Sequence, residues 1–322
     1  MRRSLGIAVL ASLFAAAGSA AEPRTIRVGW LTAFPGEVTG MHLEGLRTGL
    51  ASFGYRPGRN LVLEEVSANG ALERVPALAE ELVRRKVDVI VTQGPAVWGV
   101  QNMSAPIPVV YGYSGDPVEA RLAESLAKPR GNMTGQTYMS IELNGKRLEL
   151  LREILPNLRS IAVLANPQHP GEQLELADTT KAAGQLGIEV SYLQVRDAAE
   201  IETALQSLKE RRPQALVVFP DELTVIYRQR LADFAAEQGL PLVSGWSAFA
   251  RSGALFTYGP RISAVYRGLA RYVVRIANGA RPEELPIERP TEFELVLNMK
   301  TARALGITFP RSILLQANEL IE

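Results

Sequence analysis

The chain has 322 residues, 47% of them hydrophobic and 21% charged, with a formal net charge of +1. This length predicts about two domains or lobes, and the ordinary composition excludes wholesale disorder, a collagen-like repeat and a disulfide scaffold. Because the chain has no cysteine and only two histidines, we expect no metal site and no cofactor. The near-neutral charge also argues against nucleic acid as a partner.

The first residues have the order of a secretory signal peptide. Met1-Arg2-Arg3 is basic, residues 5–17 are apolar, and residues 18–21 are small, which predicts cleavage after Ala20 or Ala21. The alternative is a retained membrane anchor, but the apolar run is shorter than the ~20 residues that a membrane span needs. We therefore predict a signal peptide over residues 1–21 and an exported, soluble mature chain. Without cysteine, that chain has no site for a lipid anchor.

After this leader, short β-branched runs alternate with longer segments of helical period. The strands predicted from these runs are 25–33, 61–67, 87–92, 108–111, 161–165, 188–195, 215–219 and 241–244. The predicted helices are 38–53, 72–85, a short one after Gly94-Pro95, one opened by Asp116-Pro117, 142–155, 172–186, one from Asp197, and 222–238. The alternation predicts an α/β fold of two doubly wound parallel sheets, one in each lobe.

Turn-rich stretches at 131–137, 253–260 and 281–290 are candidate crossings between the two lobes. The first has no helical period, and the last contains three prolines. Three crossings between two parallel-sheet lobes would let the lobes hinge.

Open parallel sheets bind ligands beyond the carboxyl ends of their strands. That rule selects the loops 34–36, 93–96, 113–117, 166–169, 220–221 and 245–247. Gly94-Pro95 would present backbone N–H groups to a ligand carboxylate, or form an ordinary strand-to-helix joint. Asp116 and Asp221 would bind a ligand cation, or cap the helices that follow them. Rings at or near these loops would pack on a ligand or fill the cores; they are Phe34, Trp98, Tyr111, Tyr113, Tyr138, Trp246 and Tyr258.

The common catalytic motifs do not support an enzyme. The sequence has no Walker A loop, no GxGxxG turn, no GxSxG elbow and no HExxH, and Ser125-x-x-Lys128 lacks the partner motifs of its class. Neither His42 nor His169 has a nearby serine or metal-ligand pattern. We therefore expect both histidines to lie at the surface or in loops.

Several segments resemble those of a family of bacterial ABC-importer substrate-binding proteins that is often labelled for tryptophan and tyrosine transport. The resemblance runs over nearly the whole mature chain and lies in the order and spacing of the segments, since no single one is specific. They are FGYRPGRNL (53–61), VDVIV (87–91), GDPV (115–118), GNMTG (131–135), GKRLELL (145–151), YGP (258–260) and PTEFELV (290–296).

The resemblance implies a type I periplasmic-binding-protein fold, in which two α/β lobes joined by three crossings close on a small ligand. The first lobe would comprise residues 22–137 plus about 262–284, and the second residues 139–257 plus about 287–322. A helix near 262–278 would thus return to the first lobe.

Carried over position by position, the resemblance also implies the ligand-binding residues. They are Phe34, Pro35, Gly36, Gly94, Pro95, Ser114, Asp116, Tyr138, Asn166, Asp221 and Trp246. The ligand would be a small organic molecule such as an aromatic amino acid, with its carboxylate near residues 94–96 and Ser114 and its ammonium at Asp116 or Asp221. The sequence departs from the family at two places. Arg130 replaces a common glycine, which would stiffen or recharge the first hinge, and the loop 113–115 is more polar, so the identity of the ligand cannot be copied from the family.

We expect a monomeric, periplasmic solute-binding protein that hands its ligand to the membrane permease of an ABC importer. The alternatives are a periplasmic ligand sensor for a membrane receptor and, from another class, a secreted α/β hydrolase. Neighbouring genes would separate the first two, and turnover of a bound ligand would identify the third.

Overall fold

The computed structural model describes residues 24–101, 103, 107–138 and 141–322. The predicted signal peptide and Met139, the predicted first residue of the second lobe, lie outside the described residues. No helix in the described ranges is long and apolar enough to cross a membrane.

The structure alternates strands and helices along the chain, as predicted. The strands are β1 (Ile26–Thr32), β2 (Leu61–Ser67), β3 (Val89–Gln93), β4 (Val109–Tyr113), β5 (Ala123–Ser125), β6 (Lys128–Pro129), β7 (Met133–Thr137), β8 (Ser160–Ala165), β9 (Glu189–Gln194), β10 (Ala215–Val218), β11 (Leu242–Ser244), β12 (Phe256–Pro260), β13 (Phe293–Asn298) and β14 (Glu319–Ile321). The helices are α1 (Gly36–Ser52), α2 (Val75–Arg84), α3 (Ala96–Gln101), α4 (Asn144–Ile154), α5 (Glu172–Gln185), α6 (Ala198–Arg211), α7 (Glu222–Ile226), α8 (Arg228–Glu237), α9 (Ser247–Ser252), α10 (Ile262–Ala277), α11 (Met299–Ala304) and α12 (Arg311–Leu314).

Two sheets organise these strands, which confirms the predicted α/β class. The first sheet has the order β2-β1-β3-β4-β7 and is parallel throughout. The second has the order β14-β13-β12-β11-β10-β8-β9 and is parallel except between β12 and β13. Every residue of β3 and β4 is buried, as helices on both faces of a parallel sheet require.

Helix α10 follows β12 of the second sheet along the chain but packs against α1 of the first layer. Two glycines of α1 make the close approach possible. A Cβ atom at Gly45 would lie 2.8 Å from the carbonyl oxygen of Ser263, and one at Gly49 only 2.5 Å from that of Arg267. The packing brings the buried Tyr266 of α10 under the ends of the first sheet's strands.

The first two predicted crossings contain strands. Residues 131–137 hold β7, the edge strand beside β4, and residues 253–260 hold β12, which pairs with β11 and β13. The chain passes between the sheets just after these strands. The turn formers in the first stretch concealed a strand because Gly135 lies where the strands are closest: a Cβ atom there would be 1.9 Å from the carbonyl oxygen of Tyr111.

The third crossing first runs beside β7 and then enters β13. Glu288 N donates to the carbonyl oxygen of Gly135 at 3.2 Å, and Thr137 N donates to that of Glu288 at 3.0 Å. At the end of β12, Arg261 N donates to the carbonyl oxygen of Glu292 at 2.9 Å, and the Arg261 guanidinium pairs with the Glu292 carboxylate at 3.2 Å. The second and third crossings are therefore bonded to each other.

The predicted helix after Asp116-Pro117 is wrong, because the segment forms only a turn. Asp116 Oδ1 accepts a bond from Val118 N at 2.7 Å, as an N-cap would, but Leu122 N already returns to the Pro117 carbonyl oxygen at 2.8 Å. Arg121 has a left-handed φ of 58°, which ends the turn and leads the chain into the β5–β6 hairpin.

The predicted helix 222–238 is two helices, α7 and α8, that meet at Tyr227. The Arg228 guanidinium donates to the carbonyl oxygen of Val225 at 2.6 Å, so the break leaves this carbonyl with a partner. Because of the break, the short helix α7 that follows β10 is separate from α8. Its first residue, Glu222, lies at the end of the second sheet.

Candidate functional site

The carboxyl ends of strands from both sheets meet at a cavity of about 20 Å³. It is lined by His42, Gln93, Gly94, Pro95, Ser114, Tyr138, His169, Asp221, Glu222 and Trp246. Helix α1, β3, β4 and β7 supply the first-sheet wall, and the loops after β8, β10 and β11 supply the opposite wall. A cavity of this kind needs ~10–15 Å³ to hold one water molecule, so it has room for about one water and the two walls are closed on each other.

A larger groove of about 740 Å³ lies elsewhere, beside Leu158 and Leu240. These residues precede β8 and β11, so the groove lies at the amino ends of the second sheet's strands. Parallel sheets bind ligands at the opposite, carboxyl ends, and no predicted site residue lines the groove. We therefore place the candidate site in the smaller cavity.

The structure brings most of the predicted binding residues together. Those that line the cavity are Gly94, Pro95, Ser114, Tyr138, Asp221 and Trp246. Asn166 stands directly behind them, because its Nδ2 donates to Asp221 Oδ2 at 2.7 Å. The ligand-binding role of these residues remains a prediction.

The remaining predicted residues are not part of the cavity lining. Phe34 packs against core residues of the first layer, Pro35 is exposed, and Gly36 begins α1. Asp116 is exposed and its Oδ1 accepts from the backbone N–H of Val118. Its capping interpretation therefore fits the structure, although what it caps is a turn.

A neutral hydrogen-bond network fixes the first-sheet wall. The Gln93 side-chain oxygen accepts from His42 Nδ1 at 2.9 Å and from the Tyr266 hydroxyl, and the Tyr266 and Tyr138 hydroxyls bond each other. Because the amide oxygen only accepts, His42 carries its proton on Nδ1. Burial lowers the pKa of His42 to about 4, although the Gln93 bond opposes this shift, so the ring is neutral at pH 7.

Aromatic rings pack around this network. His42 stacks on Tyr266 with ring centroids 4.5 Å apart, and Trp246 meets the edges of His42 at 5.7 Å and of Tyr138 at 6.2 Å. Trp246 is only 6% exposed, and its Nε1–H is buried without a partner. Trp246, which belongs to the opposite wall, thus completes an apolar, aromatic surface and adds one free donor.

The acidic residues of the opposite wall differ in how fully they are used. Asp221 caps α7, with Oδ1 accepting from Thr224 N at 2.8 Å and Oδ2 accepting from Asn166. Glu222 Oε1 accepts from Gln93 Nε2 at 2.8 Å, but Glu222 Oε2 is buried and has no partner. Burial raises the pKa of Glu222 to about 8, helped by the charge of Asp221 and opposed by the Gln93 bond and His169.

A buried ionic cluster lies behind this wall. His169 Nε2 lies 3.2 Å from Glu175 Oε1. Burial alone would lower the pKa of His169, but the bond to Glu175 and the surrounding carboxylates raise it overall. Arg147 is 1% exposed, its Nε donates to the Tyr258 carbonyl oxygen at 2.8 Å, and burial lowers its pKa. In the part of the chain that is described, no group of acidic and imidazole side chains forms a metal-binding set.

Contacts across the cavity hold the two walls together. Ser114 Oγ donates to the carbonyl oxygen of Pro170 at 3.0 Å, and the backbones of Gly115 and Gly171 touch so closely that a Cβ atom on Gly171 would lie 2.7 Å from Gly115 Cα. Together with the Gln93–Glu222 bond, these contacts hold the two walls in one defined closed arrangement.

The sequence interpretation missed four cavity residues. The expectation that His42 and His169 lie at the surface or in loops is wrong for His42, which lies in α1 and is 3% exposed. His169 does lie in the loop after β8, but it is only 6% exposed, and both histidines line the cavity. The strand-end rule did select the loops containing Gln93 and His169, but assigned neither a role. Glu222 immediately follows a selected loop, and the period of α1 places His42 near Leu46 on its buried side, so both signals were present.

Comparisons with known proteins agree with this geometry. Residues 36–321 match the family described as ABC transporter substrate binding protein. The chain belongs to this family. Its members are binding proteins, typically extracytoplasmic, so this substrate-binding protein takes a small-molecule ligand and is not an enzyme, as predicted.

Individual relatives extend over most of the substrate-binding protein. It is 26% identical over 266 residues to the tyrosine-binding protein of Clostridioides difficile (strain R20291), which covers 82% of this chain and 76% of that protein. A conserved domain protein from Vibrio cholerae gives a TM-score of 0.84 at 25% identity, covering 92% of this chain and all of that chain. An ABC domain in complex with L-Trp from Streptococcus pneumoniae gives 0.85 at 22% identity, with the same coverage. These structures confirm the type I periplasmic-binding-protein fold.

Proposed function

We propose that this substrate-binding protein captures an aromatic amino acid in the cavity between its two sheets. The observation that carries the proposal is the free, buried donor of Trp246 beside the rings of His42 and Tyr138. Buried polar atoms are rarely left unpaired in proteins, so this atom indicates where a ligand bonds. The names of the tyrosine-binding relative and the L-Trp complex support an aromatic ligand.

The walls offer groups for both ends of such a ligand. Its ring would pack against Trp246 and Tyr138, as aromatic side chains favour edge and offset contacts. Its carboxylate would accept from Trp246 Nε1–H and from the backbone N–H of Ala96, because the N–H groups of Val97 and Trp98 already donate to the carbonyl oxygens of Gly94 and Pro95. His169, on the opposite wall, carries positive charge more readily than an ordinary histidine and would attract the same carboxylate.

Binding requires the lobes to open. A pocket for a small ligand usually measures ~300 Å³ or more, whereas the closed cavity has about 20 Å³. We propose that residues 22–137 with about 262–284, and 139–257 with about 287–322, rotate as two bodies about the three crossings. The closed form would then be presented to the membrane permease of an ABC importer, and cleavage of residues 1–21 would leave the protein free in the periplasm.

Thermal unfolding of residues 22–322 with L-tryptophan, L-tyrosine and L-phenylalanine tests the proposal. A ligand at ~1,000 times its dissociation constant adds about 4 kcal/mol to stability, which at roughly 2–4 °C per kcal/mol raises the melting temperature by several degrees. Trp246→Ala should abolish the shift. Trp98→Ala is the matched control, because Trp98 is 40% exposed and outside the cavity.

Two results would count against this function. The first is a shift caused only by compounds without an aromatic ring. The second is the absence of any shift across the panel, combined with mass spectra of the denatured protein that show no retained ligand.

A further inference from the structure

The Glu222 side chain belongs to the second-sheet side of the cavity but contacts the first-sheet wall. It begins α7, directly after β10 of the second sheet, yet its Oε1 accepts from Gln93 Nε2 at the end of β3. A Cβ atom at Gly94 would lie 3.4 Å from the same oxygen. Glu222 is only 4% exposed, so closing the cavity takes this side chain out of water.

Few charges compensate Glu222 in the closed cavity. The titratable groups that face it among the described side chains are His42 on α1, Tyr266 on α10, Tyr138 after β7, and Asp221 and His169 on its own side. Asp221 repels a negative charge, His42 is neutral, and His169 is already bonded to Glu175. The Oε2 atom is therefore buried at the cavity lining with no cation against it.

We infer that Glu222 makes closure conditional on a positive charge at its free oxygen, supplied either by a proton or by an ammonium group of the ligand. The inference rests on the proposed function, since it requires the ligand to lie in this cavity. It narrows the ligand class to compounds with a cationic group next to the aromatic body. It also assigns to Glu222 the contact that the sequence had given to Asp221 or Asp116, because both oxygens of Asp221 are already bonded and Asp116 lies outside.

The direction of the pH effect follows from burial. In the closed form the pKa of Glu222 is about 8, whereas a carboxyl exposed to water by opening titrates near its ordinary value of about 4.3. Closure without a cationic ligand therefore takes up a proton. As the pH rises towards 8, each additional pH unit makes this closure up to about tenfold less favourable. A ligand ammonium replaces that proton, so Glu222 should not make closure on an amino acid depend on pH in this range.

The window for measurement is pH 6.5 to 8. Below it, His42 also titrates, because its pKa is about 4 when buried and about 6.5 in water. Burial is the largest influence on the pKa of His169, and His169 lines the cavity, so opening changes its titration too. Two ligands that both carry a carboxylate share this contribution, and their comparison isolates Glu222.

Calorimetric titration with L-tryptophan and with 3-(indol-3-yl)propanoate, which lacks the ammonium group, tests the inference. For the wild type, the affinity for the propanoate should fall roughly tenfold relative to that for L-tryptophan from pH 6.5 to 8. Glu222→Gln keeps the shape and the Gln93 bond but removes the charge. This variant should abolish the pH dependence of the affinity ratio and reduce the difference in affinity between L-tryptophan and the propanoate. Glu237→Gln, on the exposed face of α8, is the matched control and should behave as the wild type.

A ligand-free measurement separates this inference from the proposed function. Small-angle scattering should show the wild type more compact at pH 6.5 than at pH 8, and Glu222→Gln equally compact at both. If this difference appears but neither indole compound binds, the proposed ligand is wrong and the role of Glu222 stands. If the compounds bind with affinities that neither pH nor Glu222→Gln changes, or if the two proteins scatter alike at both pH values, the role of Glu222 is wrong.

Discussion

The two walls of the cavity differ in how completely their polar groups are paired. On the first-sheet wall, Gln93 holds His42 and Tyr266 in one neutral network. The opposite wall carries charge, and free buried atoms remain on Trp246 and Glu222 and, behind them, on Glu175 and Arg147. A satisfied network rigidifies its surroundings, whereas an incompletely paired one costs free energy until a partner arrives. The first wall is thus a fixed template, and the second is the part whose energy depends on what the cavity holds.

Removing the cation behind the second wall should have the largest effect on stability. Arg147→Met leaves Glu175, which is fully buried, with His169 as its remaining cationic partner, and we expect a loss of about 4 kcal/mol in the free energy of unfolding. Urea denaturation measures it. The control is Lys146→Met on the same helix, because Lys146 and Glu149 form an exposed pair at 3.2 Å worth less than ~1 kcal/mol. Equal losses in the two variants would show that the cluster is not a special feature of this wall.

Acid should destabilise the first wall through His42. Its pKa is about 4 in the folded protein and about 6.5 when unfolded, so the unfolded state binds a proton first. Stability from this group is therefore lost as pH falls from 6.5 to 4, by about 3 kcal/mol. His42→Gln should flatten the curve of unfolding free energy against pH in this window. His169→Gln should not, because the folded pKa of His169 is raised and its contribution is lost as pH rises.

Replacing Asp221, the buried cap of α7, should have a smaller effect on stability. The effect should still exceed that of replacing an exposed helix cap. Asp221→Ala removes the cap of α7 and leaves the Asn166 amide without its acceptor, so we expect a loss of about 2 kcal/mol. Asp197→Ala removes the exposed cap of α6, where Oδ1 accepts from Glu200 N at 2.9 Å, and should cost about 1 kcal/mol. A melting series of both variants decides, and an Asp197 effect as large as that of Asp221 would contradict the comparison.

The sequence was sufficient for the alternation of elements, because the hydrophobic period of each segment follows from which faces are buried. It was less reliable where backbone and side chain send different signals. Asp116-Pro117 has the caps of a helix start but no apolar face behind it, and the chain turns back at Arg121. Residues 131–137 are rich in turn formers, yet they contain a strand. Position 135 needs a glycine there, because a Cβ atom would collide with the backbone of β4.

The site was harder to predict than the fold, because it depends on contacts between distant segments. The strand-end rule found the loops that hold Gly94 and Trp246 without any knowledge of how the lobes meet. It could not show that Glu222 meets Gln93, which is 129 positions away in the chain. Nor could it separate Asp221 from its neighbour, since only the bonds to Thr224 and Asn166 show that the aspartate is occupied and the glutamate is not.

The pairing of two crossings constrains how this protein moves. Arg261 bonds Glu292 through both backbone and side chain and also approaches the Glu294 carboxylate at 3.4 Å. Two chain segments bonded side by side cannot slide past each other without breaking these bonds, so they bend together. We therefore expect the lobes to swing along a single arc. A membrane permease that binds this protein would then encounter only conformations along that arc. It would need to recognise only the closed conformation at the end of the arc.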